Sequence, residues 1–223
     1  MISTVLVEPH IQGNIGAVAR VMKNFGFENL ILVNPKCKIG KEARNRAKWA
    51  NDILDKVKIT KRFPKLDYLI ATSSKTGRDY NIPRNPITPE ELVKIMSING
   101  NIGIVFGREE DGLRNNEIAK CDFLVKIPTS PIYPAMNLSH SVAVILYELS
   151  KNNNKINITP ISFAEKKQIM KMLDKALGKM HFATKEKKQT QKMVWKKIVG
   201  KTFMSKREAY ALMGFLRKVM EMR

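Results

Sequence analysis

The stretch Val105-Phe106-Gly107-Arg108-Glu109-Glu110-Asp111-Gly112-Leu113 closes an apolar run that begins at Ile102. The run passes directly into a glycine, four charged residues and a second glycine. Five apolar residues without polar alternation fit a strand buried on both faces, as in a parallel sheet. Loops at the carboxyl ends of parallel strands are the usual ligand sites of open α/β sheets. From these residues alone, a charged surface turn fits the loop as well as a site does.

Working outward, strand-like and helix-like segments alternate, which predicts an α/β layer fold with a largely parallel sheet. Thr4–Val7, Leu30–Val33, Leu66–Ala71 and Phe123–Ile127 read as further strands. Asn14–Phe25 reads as a helix with Gly26 as its C′ residue. A second helix lies around Glu42–Trp49, and Thr88-Pro89 reads as an N-cap followed by proline at the first helical position. Leu138–Leu149 is apolar nearly all round and is expected to be well buried. Beyond the polar run 151–155 the pattern becomes helical. Ser162-x-x-Glu165 and Ser205-x-x-Glu208 fit the capping box. Ile169, Leu173, Ala176 and Leu177 follow the first box, and Leu212, Phe215, Leu216 and Val219 the second. Met193, Trp195, Ile198 and Val199 supply apolar surface for a helix between them. The expected organisation is a domain over residues 1–152, a linker over 153–160 and a small, basic, all-α domain over 161–223.

The 223 residues carry Lys+Arg 40 against Asp+Glu 20, a net +20 that calls for a polyanionic partner. Residues 1–150 hold net +6 and residues 151–223 net +14, so a third of the chain carries most of the excess. Cys37 and Cys121 form no CxxC pair, and His10, His140 and His181 have no metal-ligand spacing, so no metal site is expected. The start Val5-Leu6-Val7 stops at Glu8, too short for a signal segment, and no apolar stretch reaches membrane-spanning length. A cytoplasmic protein without a membrane partner is expected.

Two more loops are candidates for chemistry. Gly13-Asn14-Ile15-Gly16 lies between a strand and a helix, where glycines let another group approach the backbone. It lacks both the GxGxxG of dinucleotide sites and the GK[ST] of phosphate loops. On the helix that follows, Arg20 points almost opposite the Ile15, Val18, Met22 and Phe25 face, as a solvated arginine would. The second loop, Ile127–His140, carries Pro128, Pro131 and Pro134, which stiffen it and leave free carbonyls beside a few N–H groups. That suits an adenine edge. Asn137 and Ser139 read equally as helix caps or as functional residues, and Thr72-Ser73-Ser74 reads first as a turn.

Taken in order, Gly13–Arg20 with Phe25-Gly26, Phe106–Glu109 with Gly112-Leu113, and Ile127-Pro128 with Tyr133 and Asn137–His140 resemble the three motifs of SPOUT methyltransferases. The similarity is greatest to the TrmJ-like branch, tRNA 2′-O-ribose methyltransferases, and extends over almost the whole chain. The resemblance implies a SPOUT fold with a C-terminal trefoil knot, a homodimer with sites near the subunit interface, and S-adenosyl-L-methionine as cofactor. It places Thr72, Ser73, Ser74, Gly107, Ile127, Pro134, Ala135, Met136 and Leu138 at the cofactor. Asn14, Arg20, Glu109 and Asn137 match the family's catalytic positions. Ala135 departs from the serine of many relatives, so any hydroxyl role there is absent.

The implied reaction is methyl transfer to a ribose 2′-hydroxyl of tRNA, at anticodon-loop nucleotide 32 (cytidine and/or uridine). Alternatives are an rRNA 2′-O-methyltransferase of the same class and a non-catalytic RNA-binding protein. A guanidinium is normally donor-only, so Arg20 is better read as holding a phosphate or the developing oxyanion than as a base. Lys166, Lys167, Lys171, Lys187, Lys188, Lys192, Lys196, Lys197, Lys206 and Arg207 are expected to grip RNA phosphates.

Overall fold

Strand β1 (Ile2–Val7) leads into helix α1 (Gln12–Asn24), then β2 (Asn29–Val33), α2 (Lys41–Ala47), a 3-10 turn at Lys48–Ala50, α3 (Asn51–Asp55) and β3 (Lys58–Thr60). Next come β4 (Tyr68–Thr72), α4 (Pro89–Ile95), β5 (Ile102–Phe106), α5 (Asn115–Ile118), β6 (Phe123–Val125) and α6 (Leu138–Ser150). This computed structural model describes residues 1–74, 86–95, 100–151, 161–202 and 204–221. The expected linker, 153–160, lies outside the described residues.

The chain divides into two units, Met1–Ser97 with Asn101–Asn154, and Lys155–Arg223 with Ile98–Gly100. The first contains a six-stranded sheet in the order β3-β2-β1-β5-β4-β6. Every pairing in it is parallel. Both faces are covered, which explains the continuous apolar runs: Val5, Ile31, Leu69 and Val105 bury on one face, while their neighbours Leu6, Leu32, Ile70 and Ile104 are equally buried. The short edge strand β3 has no counterpart in the sequence reading; it is three residues long, and Lys58 and Ile59 are exposed there. Leu6 pairs with Phe106 across β1 and β5. Beyond this pair the chain leads from β1 to β2 and from β5 to β6, on opposite sides of the sheet, and a crevice is expected at the carboxyl side of such a switch point.

Local signals account for most helix ends. Gly26 takes φ +76 after α1; its N–H reaches the Lys23 carbonyl and the Phe27 N–H that of Met22, a Schellman closure. Thr88 and Glu91 exchange side-chain and backbone bonds at the start of α4. Helix α6 buries Leu138, Val142, Ile145, Leu146 and Leu149 along one stripe. It is less covered than expected, since Tyr147 on another face is 49% exposed.

The second unit carries α7 (Phe163–Lys179), α8 (Lys185–Lys201) and α9 (Lys206–Glu221). Both predicted capping boxes form, at Ser162 with Glu165 and at Ser205 with Glu208. Ile169, Leu173, Ala176, Val199 and Leu216 share one core. Two expectations are corrected. Lys166 and Lys197 are 8% and 7% exposed, so they do not offer their length to phosphate. Lys166 precedes Ile169 and Leu173 at helical spacing and lies on their buried stripe, where a four-carbon stem packs well. Met193, Ile198 and Phe215 are 40%, 47% and 60% exposed instead of buried.

Candidate active site

Glycines do two different things near the crevice. A Cβ on Gly107 would stand 2.1 Å from the Gly112 carbonyl carbon and 2.3 Å from the Leu113 nitrogen, so only glycine lets the loop after β5 fold back on itself. Gly112 closes that turn at φ +68, with Arg108 and Gly112 bonded in both directions. At Gly16 the group that approaches is helix α2: a Cβ would meet the Ala43 carbonyl oxygen at 2.0 Å. That glycine seats α1 on α2.

The folded-back loop is fixed by charge. Arg108, 9% exposed, bonds Glu8 at 2.7 Å and Glu117 at 2.7 Å. Asn34 Nδ2 donates to Glu8 at 2.6 Å and Lys36 lies 3.3 Å from it. The Arg108 hydrogen bond, aided by Asn34 and Lys36 against the effect of burial, holds the Glu8 carboxyl down at about 2. Burial pushes Glu117 upward, but its bonds from Arg108 and the Arg114 N–H outweigh this and leave it below the ordinary range. The same pair of carboxylates drives the Arg108 guanidinium further toward its charged form.

With Arg108 turned inward, Glu109 faces the start of α1. That helix has no side-chain cap of its own. Glu109 holds the segment that enters it: its carboxylate accepts from Asn14 Nδ2 at 3.0 Å and lies within 3.5 Å of the His10 and Ile11 N–H groups, just ahead of the first helical residue. His10 Nδ1 is 2.9 Å from the other oxygen. Asn14 Oδ1 in turn accepts from Asn137 Nδ2 at 3.3 Å. Asn137 caps α6 through its own oxygen, accepting from the Ser139 N–H at 2.9 Å. Cap and contact are thus the two ends of one amide. Glu109, Asn14 and Asn137 join the three candidate loops.

Beside this chain of bonds a cleft opens at the carboxyl ends of β4, β5 and β6. All nine residues expected at the cofactor line it: Thr72, Ser73, Ser74, Gly107, Ile127, Pro134, Ala135, Met136 and Leu138. Glu109, Glu110 and Asp111 form an acidic wall. Thr129 Oγ1 donates to the Pro134 carbonyl at 3.1 Å and closes the proline loop. Arg20 is not among the lining residues; it is exposed on α1, with no hydrogen-bond partner among the described residues.

Residues 1–147 match the SpoU rRNA Methylase family. The chain belongs to that family. Over 224 aligned residues it is 48% identical to the tRNA (cytidine-2′-O-)-methyltransferase TrmJ of Methanocaldococcus jannaschii, covering 96% of this chain and 97% of the relative. The crystal structure of TrmJ from Z. mobilis ZM4 superposes with a TM-score of 0.76 at 26% identity, over 98% of both chains. The SpoU methyltransferase AviRb from Streptomyces viridochromogenes, solved with AdoMet, shares the fold at a TM-score of 0.50 and 17% identity, over 67% of this chain and 59% of that one.

Within this family frame, sequence reasoning missed Glu8, Arg108, Glu117 and His10 as parts of the site. The register held a signal for one pair: Glu8 and Arg108 each lie two residues beyond Leu6 and Phe106, which are partners on adjacent strands. Among the described residues no three His, Cys, Asp or Glu side chains gather as a metal cage. No helix there is long and apolar enough to cross a membrane.

Proposed function

We propose that the chain transfers a methyl group from S-adenosyl-L-methionine to a ribose 2′-hydroxyl of tRNA, at anticodon-loop nucleotide 32, cytidine and/or uridine. The observation that carries this reading is the Glu109–Asn14–Asn137 chain of bonds at the edge of the cleft. It fixes three loops around one opening, and alignment is what an in-line displacement needs most. The name of the Methanocaldococcus relative supports the substrate.

The cleft's chemistry suits the cofactor. Apolar walls at Met136 and Leu138 and the carbonyls of a proline loop fit an adenosyl group, and the acidic wall fits a cation. When bound, S-adenosylmethionine supplies an electrophilic methyl on a positively charged sulfur. The acceptor hydroxyl would give up its proton to water or another acceptor as its oxygen takes the methyl. Asn14 and Asn137 hold the reacting edge. Arg20 holds a phosphate or the developing oxyanion.

Arg20 lies outside its own chain's cleft lining, which supports a homodimer in which α1 of one copy serves the other. Exposed Ile11 and Tyr147, 42% and 49%, supply apolar surface near that helix. The family's trefoil knot belongs to the same proposal: β6 pairs with β4 at the sheet edge, yet α6 packs back on α1 and α4. The helices over 161–223 act as the RNA-binding extension, with Lys167, Lys171 and Lys187 among the exposed cations.

The deciding experiment maps 2′-O-methylated nucleotides by mass spectrometry after incubating protein and cofactor with separated, unmodified tRNA and rRNA. Methylation at tRNA nucleotide 32 is expected. Modification confined to rRNA, or none, overturns the reading.

A further inference from the structure

Trp49 is 92% exposed in the 3-10 turn between α2 and α3. Tryptophan is among the most buried side chains on average, so this exposure calls for a cause. The turn is built to produce it. Ala47 and Ala50 on either side are 0% and 2% exposed and anchor the turn in the core. Lys48 adopts φ +54, a backbone conformation that favours glycine. Asn51 Nδ2 donates to the Lys48 carbonyl at 2.7 Å and pins the conformation. The indole is therefore held out by a strained, braced turn, and strain of this kind collects at functional positions.

Its surroundings select the partner. Residues 36–62 carry 10 Lys+Arg against 3 Asp+Glu. This net +7 exceeds the net +6 of residues 1–150 as a whole, so the rest of that stretch is slightly acidic. Two of the three acids are already matched, Asp52 by Lys23 at 2.7 Å and Asp55 by Arg44 at 2.9 Å. Arg46 and Lys48, three residues and one residue before Trp49, are themselves exposed and have no ion-pair partner among the described residues. An exposed flat aromatic side chain in a segment with unpaired cations complements a polyanion that carries flat faces of its own. Bases in a duplex are already stacked, so the fit is to an unpaired nucleotide.

We propose that the α2–α3 corner is a second RNA-contact surface, on the catalytic unit itself, where Trp49 stacks on an unpaired tRNA base and Arg46 and Lys48 hold adjoining phosphates. This rests on the tRNA reading above and adds a contact distinct from the basic C-terminal helices. The contact positions the substrate and takes no part in the methyl transfer.

The test titrates the full chain with an unmodified tRNA transcript. Trp49→Ala is expected to weaken tRNA binding about tenfold and Trp49→Phe, which keeps a π-face, about twofold. S-adenosylmethionine affinity stays unchanged in both, which controls for folding. In a Trp195→Phe background, tRNA quenches the remaining indole emission. Replacing Arg46 and Lys48 together by alanine lowers the salt slope of binding by roughly two. Unaltered tRNA affinity in Trp49→Ala overturns the proposal, as does a Trp49→Ala protein that loses a copy in sedimentation, which makes the patch a subunit contact. If the wild type methylates tRNA and Trp49→Ala matches it in affinity, only this surface falls. If the wild type neither binds nor methylates tRNA, both readings fall.

Discussion

Asn14 Nδ2 donates to Glu109 Oε1 at 3.0 Å, across 95 residues of chain. The carboxylate does two jobs at once: it holds the segment entering α1 through the His10 and Ile11 N–H groups, and it orients an amide whose other end holds Asn137. Position and stability are therefore coupled at this residue. Glu109→Ala is expected to cost about 1 to 2 kcal/mol through its lost hydrogen bonds, read as a fall of roughly 2 to 8 °C in Tm. Glu109→Gln retains an acceptor and most of that stability, yet is expected to lower kcat at least tenfold. An unchanged kcat in Glu109→Gln would remove the carboxylate from the reaction.

Arg108 binds two carboxylates at low exposure, so removing it strands both. Arg108→Met is expected to cost about 3 to 5 kcal/mol, measured by urea unfolding. The pH dependence carries a sign. Glu8 is held at about 2 in the folded chain, below its unfolded value, so its stabilisation is complete above the ordinary glutamate range. It is lost as pH falls through that range toward 2. Wild-type stability thus declines over this window, and Glu8→Gln flattens the decline.

At Gly107 any side chain meets backbone. Gly107→Ala is expected to displace the loop and weaken S-adenosylmethionine binding at least tenfold by calorimetry. Gly178 and Gly214 give the contrasting case. Both lie in helices, with nothing within 4 Å of a Cβ, and each change to alanine is expected to add about 0.5 to 1 kcal/mol by thermal unfolding.

Arg20→Lys distinguishes charge from proton abstraction. Appreciable retained turnover fits a group that holds phosphate or oxyanion. Undiminished turnover in Arg20→Ala takes this residue out of the mechanism.

Deleting residues 156–223 is expected to weaken tRNA binding far more than cofactor binding. Equal loss of both indicates a folding defect in place of a lost RNA grip.

What the sequence made legible was local. The Gly26 stop, the Thr88, Ser162 and Ser205 caps and the apolar strands each depend on neighbours within a few residues. Asn137 was legible as a cap, and its second bond was not, because Asn14 lies 123 residues away. The family resemblance places the nine cleft residues at a cofactor; from the residues alone, only the proline-stiffened loop Ile127–His140 suits an adenine edge. Arg108 looked like one more charge in a turn, since nothing local shows that it points inward to Glu8 and Glu117. On α8 the exposed Ile198 and buried Lys197 reverse the simple polarity rule, because a lysine stem buries as an aliphatic chain does.

The strand order has a consequence for synthesis. β1 lies between β2 and β5, so one side of the first strand stays unpaired until residue 106 has left the ribosome. At about 5 to 20 residues per second, the nascent protein carries a bare strand edge for several seconds, a template for joining other chains. Chaperone demand during translation should therefore peak before β5 emerges and drop once it inserts.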